Sequence, residues 1–331
     1  MFHKPIDLLS IGDITTDAFI RLKEADVHCR IDKNSCEICM PFGDKIPFEY
    51  AKVIKGVGNA ANAAVASSRL GLESAIVSNI GSDQNGRECV SELIHNKVIT
   101  SHIKKHHGKA TNYHFVLWYG AERTILVNHV DYEYTLPKLP PVKWIYLTSL
   151  ATHTFPYHMA IADYLEANPK TRLAFQPGTF QMQLGFDELK RVYDRTDIFV
   201  VNVEEAQKML KTDSRDVKIL MKKIHEQGPK LVLVTDGPKG AYMFDGDHHY
   251  FMPIYPDPKP PLERTGCGDA FASTFVSAIL IGKSPLEALT WAPVNPMSVA
   301  QFVGAREGLL SHEQIEWWLK RAPSDYKVKE I

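Results

Sequence analysis

The stretch Glu263-Arg264-Thr265-Gly266-Cys267-Gly268-Asp269 runs directly into Ala270-Phe271-Ala272-Ser273-Thr274-Phe275-Val276-Ser277-Ala278-Ile279-Leu280. A polar loop with two glycines thus opens an apolar run long enough for a buried helix, and the pattern predicts a helix starting near Gly268. The first amides of a helix have no partner within it, and the dipole makes that end positive. Glycines let the backbone approach a ligand closely, so the loop is a candidate anion cradle. Asp269 falls in the first turn beside it. A carboxylate there lies close to where a phosphoryl group would sit. It could take a proton from an attacking hydroxyl while the loop amides offset the growing charge. The competing reading is plainer: Asp269 merely suits a helix N-terminus, and Gly266 and Gly268 form a turn.

The bulk numbers set the frame. The chain has 331 residues, 44% of them hydrophobic, which is room for one large α/β domain or two small ones. A formal net charge of −1 gives no argument for nucleic acid or an anionic membrane as partner. No apolar run reaches ~18 residues, and the N-terminus lacks a signal-like apolar segment, so the expectation is a cytoplasmic protein. Of the five cysteines, Cys29, Cys36 and Cys39 cluster. A zinc site would need a fourth ligand, with His28 the nearest, so reduced thiols are expected; the odd count argues against a disulfide framework.

Upstream, Ile6-Asp7-Leu8-Leu9-Ser10-Ile11-Gly12 reads as a buried strand ending at a glycine, with Asp13 and Asp17 beyond it. Ligands of open α/β sheets gather beyond strand carboxyl ends, although a hydrophilic turn would look the same. Residues 56–71 read as a Gly-rich loop, an Ala-rich helix and a stop at Gly71. Gly56-x-Gly58-x-x-Ala61 also fits a dinucleotide-binding fingerprint, but only Val53-Ile54 precede it as a strand. Gly282-Lys283-Ser284 ends like a Walker A loop, yet position 277 is Ser and the segment follows a helix. Thr111–Tyr119 and Arg123–Val130 flank Gly120-Ala121-Glu122 as a hairpin, with Arg123 read as an exposed arginine. From Trp144 to Thr235, strand and helix patterns alternate, which predicts a parallel sheet covered on both faces. Asn202 falls at a strand end with Glu204 and Glu205 in the next helical turn, and Thr235 to Gly240 form another strand-end turn.

Taken together and in order, these stretches resemble the PfkB, or ribokinase-like, family of sugar and nucleoside kinases. Residues 263–271 resemble its second signature, usually Asp-Thr-x-Gly-Ala-Gly-Asp-Ala-Phe, with Glu263, Arg264 and Cys267 replacing the Asp, Thr and Ala. The resemblance implies that Asp269 is the catalytic base and that the amides of Gly266, Cys267 and Gly268 form an anion hole. Gly12-Asp13-x-x-x-Asp17 resembles the opening motif and implies that Asp17 binds substrate hydroxyls. Asn62, Ala64, Gly71 and Gly81 fall at the spacing of the first signature, implying substrate binding by Gly58 and Asn62, with Asn59 as a neighbour. Val57 replaces the first of that signature's paired glycines. Asn202 and Glu205 match an Asn-x-x-Glu motif, which implies Mg²⁺ held through water. Thr235, Gly237 and Gly240 are implied ATP contacts, and Asn295 is implied near the adenine, in a helix that Pro293 and Pro296 interrupt. A monovalent cation such as K⁺ is implied near Glu263 and Thr265.

The implied fold is a ribokinase-like three-layer α/β/α sandwich with a mostly parallel central sheet. It forms a single domain over 1–331, with a small β-sheet lid from about 18–50 and 108–130. The expected function is ATP-dependent phosphorylation of a hydroxyl on a sugar or sugar-like molecule, without nucleic acid or membrane, in a possible homodimer formed through the lid. A nucleoside kinase on the same fold is the near alternative, with Phe19, Phe42, Tyr113, Phe115, Trp118 and Tyr119 available to stack a base or to pack the lid. The others are a non-catalytic sugar sensor and, more distantly, a Rossmann oxidoreductase.

Overall fold

Two-residue alternation in the strands decides the architecture. In β1 (Ile6–Ile11), Leu9 and Ile11 enter one apolar cluster while Leu8 enters another. A strand apolar on both faces must be covered on both faces. The computed structural model describes residues 5–29, 36–120 and 122–331. Residues 30–35 of the first expected lid segment and Ala121 of the expected hairpin lie outside them.

The chain continues through β2 (Thr15–Leu22), β3 (Asp26–Cys29), β4 (Cys36–Cys39), β5 (Phe48–Val57), α1 (Asn59–Arg69), β6 (Ser74–Gly81), α2 (Gln84–His95) and β7 (Ile99–His106). Next come β8 (Tyr113–Tyr119), β9 (Glu122–Leu126), β10 (Val142–Leu147), α3 (Phe155–Ala167), β11 (Arg172–Phe175), α4 (Thr179–Glu188), α5 (Lys190–Asp194) and β12 (Thr196–Asn202). The rest comprises α6 (Val203–Leu210), α7 (Val217–His225), β13 (Leu231–Thr235), β14 (Ala241–Phe244), β15 (His249–Met252), α8 (Cys267–Leu280), α9 (Pro285–Trp291), α10 (Val294–Val299), α11 (His312–Leu319) and β16 (Lys329–Glu330).

A ten-stranded sheet has the order β16-β15-β14-β13-β12-β11-β10-β1-β6-β7. From β7 to β13 every pairing is parallel; β14, β15 and β16 close the edge antiparallel. Helices α3, α5, α6 and α7 cover one face, through residues such as Ile161, Val192, Ala206 and Leu220. Helices α1, α2 and α8 to α11 cover the other. This is the three-layer sandwich expected from the alternation. Because the strands from β7 to β13 run the same way, the turns after β1, β11, β12 and β13 open on one edge of the sheet.

Above that edge lies a second sheet, order β5-β2-β8-β9. Its β2–β8 pairing is parallel and the flanking pairings antiparallel. Phe19, Val116 and Trp118 pack with Ile54 and Val303 beneath it. Strand β5 runs on to Val57, so it delivers the chain straight into α1. Strands β3 and β4 form a separate ribbon closed by a Cys29–Cys36 disulfide. This corrects the expectation of reduced thiols: antiparallel pairing sets those two residues opposite each other, where the sulfurs meet. Cys39, Cys89 and Cys267 are free.

Candidate active site

Helix α8 begins one residue earlier than the sequence suggests, at Cys267, with Gly266 as its N-cap. Gly266 has φ +80°, and a Cβ there would lie 2.2 Å from the Cβ of Ala305, so only glycine fits. At Gly268 a Cβ would meet nothing within 4 Å. Cys267 and Gly268 line a cavity of about 850 Å³, whereas the Cys267 amide donates at 3.3 Å to the Arg264 carbonyl. Burial, then the nearby Glu263 charge, pushes the Cys267 thiol up to about 12, so it stays protonated.

Asp269 is buried in the first turn of α8. Its position depends on how closely α1 approaches α8. Ala60, Ala61, Ala63 and Ala64 are fully buried small residues, and the Ser67 and Ser277 hydroxyls meet at 2.8 Å across the two helices. That approach puts Asn62 Nδ2 2.8 Å from Asp269 Oδ2. Gln176 Nε2, just beyond β11, donates to Asp269 Oδ1 at 3.2 Å. The buried Tyr146 hydroxyl in turn donates to Gln176 Oε1, which fixes the amide group toward the carboxylate. Burial raises the proton affinity of Asp269; the bonds from Asn62 and Gln176 and the charge of Arg123 oppose it.

Around Asp269 the surroundings divide into two. On one side is the large cavity, lined by Thr235, Gly237, Gly240 and Asn202 from the strand-end turns and by Arg123 and Arg264 as cations. Arg123 is exposed, as expected of a hairpin residue, yet it also faces this cavity. Gly240 has φ +107° and its Cβ would lie 2.5 Å from the Met252 carbonyl oxygen, so the turn is built for glycine. Asn295 stands behind the wall rather than in it. It is fully buried, donating to Thr274 Oγ1 at 2.8 Å and accepting from the Leu310 amide at 2.9 Å. Pro293, Pro296 and Met297 line the cavity there, while the Asn295 side chain is bonded within the fold behind them.

Asn202 and Glu205 form a reciprocal capping box at α6: the Glu205 amide donates to Asn202 Oδ1 at 2.8 Å, and the Asn202 amide to Glu205 Oε2 at 2.9 Å. Burial first, with the Asp269 charge adding to it, raises the proton affinity of Glu205. A buried Asp269 and a half-buried Glu205 in one another's field suit a cation between phosphates and protein, so Asn202 and Glu205 fit Mg²⁺ held through water. The cavity, its glycine turns and its two arginines likewise fit a polyanionic nucleotide.

On the other side lie Asp13, Asp17 and Asn62. Gly58 caps α1 at φ +100°; a Cβ there would be 2.6 Å from the Asp13 carbonyl oxygen. Asn59, half-buried, is the first residue of α1. Val57 is buried in register with Thr15. Here the structure adds side chains that the sequence did not single out. Asp17 and His114 are register partners in β2 and β8, with His114 Nδ1 3.4 Å from Asp17 Oδ1. His129 Nδ1 lies 3.7 Å from Asp13 Oδ2, and the Tyr134 hydroxyl donates to Asp13 Oδ1 at 2.8 Å. Gln176 had one available signal, its place at the end of a parallel strand. His114 had none without the β2–β8 register, and His129, in the segment after β9, had none.

Comparison with known proteins identifies the family and the fold. A family model described as pfkB family carbohydrate kinase matches residues 54–308. An uncharacterized sugar kinase of Archaeoglobus fulgidus is 25% identical over 252 residues, 73% of this chain and 97% of the relative. A nucleoside kinase of Methanothermobacter thermautotrophicus is 25% identical over 236 residues, 68% of this chain and 72% of the relative. The structure of Arabidopsis thaliana ribokinase complexed with ribose and ATP superposes with a TM-score of 0.78 at 18% identity, covering 96% of this chain and 99% of that one. Among the described residues, no helix is long and apolar enough to cross a membrane. The chain therefore has the ribokinase fold and belongs to the pfkB family of carbohydrate kinases, phosphotransferases with an alcohol group as acceptor.

Proposed function

We propose that this chain transfers the γ-phosphate of ATP to a hydroxyl of a sugar or sugar-like small molecule, with Asp269 as general base. One observation carries the reading: Asp269 is buried between a nucleotide-sized cavity and a cluster of hydroxyl-binding groups, with both of its oxygens held. Asn62 and Gln176 fix the carboxylate so that it can take the acceptor proton as the oxygen attacks. Arg123, Arg264 and the α8 amides offset phosphate charge, and Mg²⁺ near Asn202 and Glu205 would supply further neutralisation. The small sheet acts as a lid that keeps water from the reacting phosphate.

The test is ADP release from Mg·ATP across a panel of pentoses, hexoses, sugar acids, phosphosugars and nucleosides. Asp269→Asn should lower kcat by about 10²–10⁴-fold with the fold retained. Near-normal turnover in that variant would refute the base assignment.

A nucleoside acceptor is the second reading, favoured by the likeness to the Methanothermobacter nucleoside kinase. The aromatic candidates give it little support. Phe19 and Trp118 are packed under the small sheet, and Phe42 is fully exposed. Tyr113 and Phe115 contact each other, and strand alternation sets them on the face opposite His114. Phe180, 6.2 Å from the His129 ring, and Tyr134, bonded to Asp13, are aromatic groups beside the hydroxyl-binding cluster.

Three finer points complete the proposal. Glu263 accepts the amides of Thr265 and Gly304, each at 2.7 Å, and Thr265 Oγ1 is buried without a partner. A monovalent cation such as K⁺ would therefore take Thr265 Oγ1 as a ligand, and activity titrated against K⁺ tests this. A cytoplasmic setting suits an ATP-consuming enzyme, but a reducing compartment would open Cys29–Cys36; thiol titration of the native protein decides between them. A homodimer would form through the outer face of the small sheet. There Val53, Ala18, Phe115 and Leu126 are successive cross-strand neighbours.

A further inference from the structure

Buried polar atoms without partners mark places where a ligand is missing from the hydrogen-bond accounts. On the hydroxyl side of Asp269 there are five together: Asp13 Oδ2, Asp17 Oδ1, Asn62 Oδ1, His114 Nε2 and His129 Nδ1. Their carriers come from the turn after β1, from β2, α1 and β8, and from the segment after β9. The two rings are in contact edge to face, with centroids 5.3 Å apart. Each also lies beside one carboxylate, His114 by Asp17 and His129 by Asp13, at separations too long for good hydrogen bonds. Each pair is therefore near enough to attract but is left unsaturated.

We propose that His114 and His129, paired with Asp17 and Asp13, are specificity-determining residues that read adjacent hydroxyls of an uncharged substrate. This rests on the kinase reading above. A hydroxyl both donates and accepts, so a single hydroxyl can satisfy a carboxylate oxygen and an imidazole nitrogen together. A carboxylate or phosphate only accepts. It has no proton to give Asp17 Oδ1 and would face that carboxylate's charge, with Asp269 close behind. The arginines that would reverse this are directed elsewhere. Arg123 faces the phosphate cavity. Arg306, whose charge feels Asp17, donates to the Lys55 carbonyl and lies 3.9 Å from Glu92. Its Nε and Nη1 are unpartnered, which makes it the group an anionic substrate would have to reach. Neutral sugars and nucleosides share the chemistry that fits, adjacent hydroxyls without charge. The arms of the test separate those two sources.

The experiment uses matched pairs: glucose against gluconate, fructose against fructose 6-phosphate, and ribose and cytidine against their monodeoxy analogues. Two readouts run in parallel, namely kcat/KM for ADP release and the rise in Tm that each compound causes in Asp269→Asn protein. The expected result is a preference of about 100-fold or more for the uncharged member, and a loss of similar size when one read hydroxyl is missing. In His129→Leu and His114→Leu, KM should rise about 10–100-fold with kcat nearly kept, and Gln at either position should restore part of the loss by returning a donor. A sugar acid or phosphosugar that outperforms its neutral partner, with Asp269-dependent ADP release, overturns the proposal and leaves the kinase reading standing. ADP release that does not depend on Asp269, alongside a Tm response to neutral compounds only, supports the proposal and removes the base assignment instead. A Tm that responds to no neutral compound overturns the proposal whatever the assay shows.

Discussion

Asp13 is buried where a negative charge is unfavourable. Burial pushes its carboxyl up to about 7, against the Tyr134 hydrogen bond and the charges of His153 and His114, which pull the other way. In the unfolded chain the same group titrates near 3.8. The folded state therefore holds the proton more tightly, and stability from this group is complete below pH 3.8 and is lost as pH rises toward 7. The difference is on the order of 4 kcal/mol. Asp13→Asn cannot ionise and still offers Tyr134 an acceptor. Urea unfolding should show the variant more stable than the parent above pH 7, with the gap closing toward pH 4, while substrate affinity falls. Parallel stability curves would show that Asp13 titrates as an ordinary carboxyl. Legibility at this scale follows sequence distance. Asp269, Gly266 and Gly268 were readable because a loop, a cap and a first turn are local. Gln176, His114 and His129 reach the same site from far away in sequence, and only Gln176, at the end of a parallel strand, carried a local signal.

At the scale of elements, the contact between α1 and α8 sets the site, because it brings Asn62 to Asp269. Its small residues were visible in the sequence as an Ala-rich run, but which helix they would face was not. The Ser67–Ser277 bond tests how much polar matching matters there. Ser67→Ala alone leaves the Ser277 hydroxyl buried without its partner and should cost about 1–3 kcal/mol. The double variant Ser67→Ala/Ser277→Ala removes both ends and should cost less than the sum of the two single changes. Strict additivity in chemical denaturation would mean that Ser277 simply turns back to its own helix, as Ser273 does toward the Asp269 carbonyl. The small sheet shows the opposite balance. The β8–β9 hairpin was readable from its pattern, but β2 and β5 carry weak patterns, so the resemblance placed them in a small sheet where periodicity could not. The β2–β8 parallel pairing that joins Asp17 to His114 depends on chain path rather than composition.

At the scale of the whole molecule, the alternation from Trp144 onward was enough to predict a covered parallel sheet, because a strand apolar on both faces has no stable single-sided arrangement. Strand order and the antiparallel edge were beyond it, since they are fixed by long-range register. The small sheet leaves the molecule one exposed apolar rung. Phe115 is 44% exposed, Val53 49% and Leu126 51%, and they sit side by side across the strands with the buried Ala18 between Val53 and Phe115. Strand alternation turns these side chains away from Phe19, Val116 and Trp118, which pack inward, and among the described residues they remain exposed. A second copy of the same face would cover them symmetrically, since a two-fold interface joins identical patches. The proposed dimer therefore makes a direct prediction. Light scattering should give about twice the chain mass for the native protein, and Phe115→Lys should return it to a single chain mass, because two like charges would then face each other across the two-fold axis. Phe115 lies on the outer face, so the proposed catalytic groups keep their places; any fall in kcat in the monomeric variant would measure how much the partner steadies the small sheet. A native mass equal to one chain across micromolar concentrations would sink the dimer and leave the rung as a solvent-facing surface.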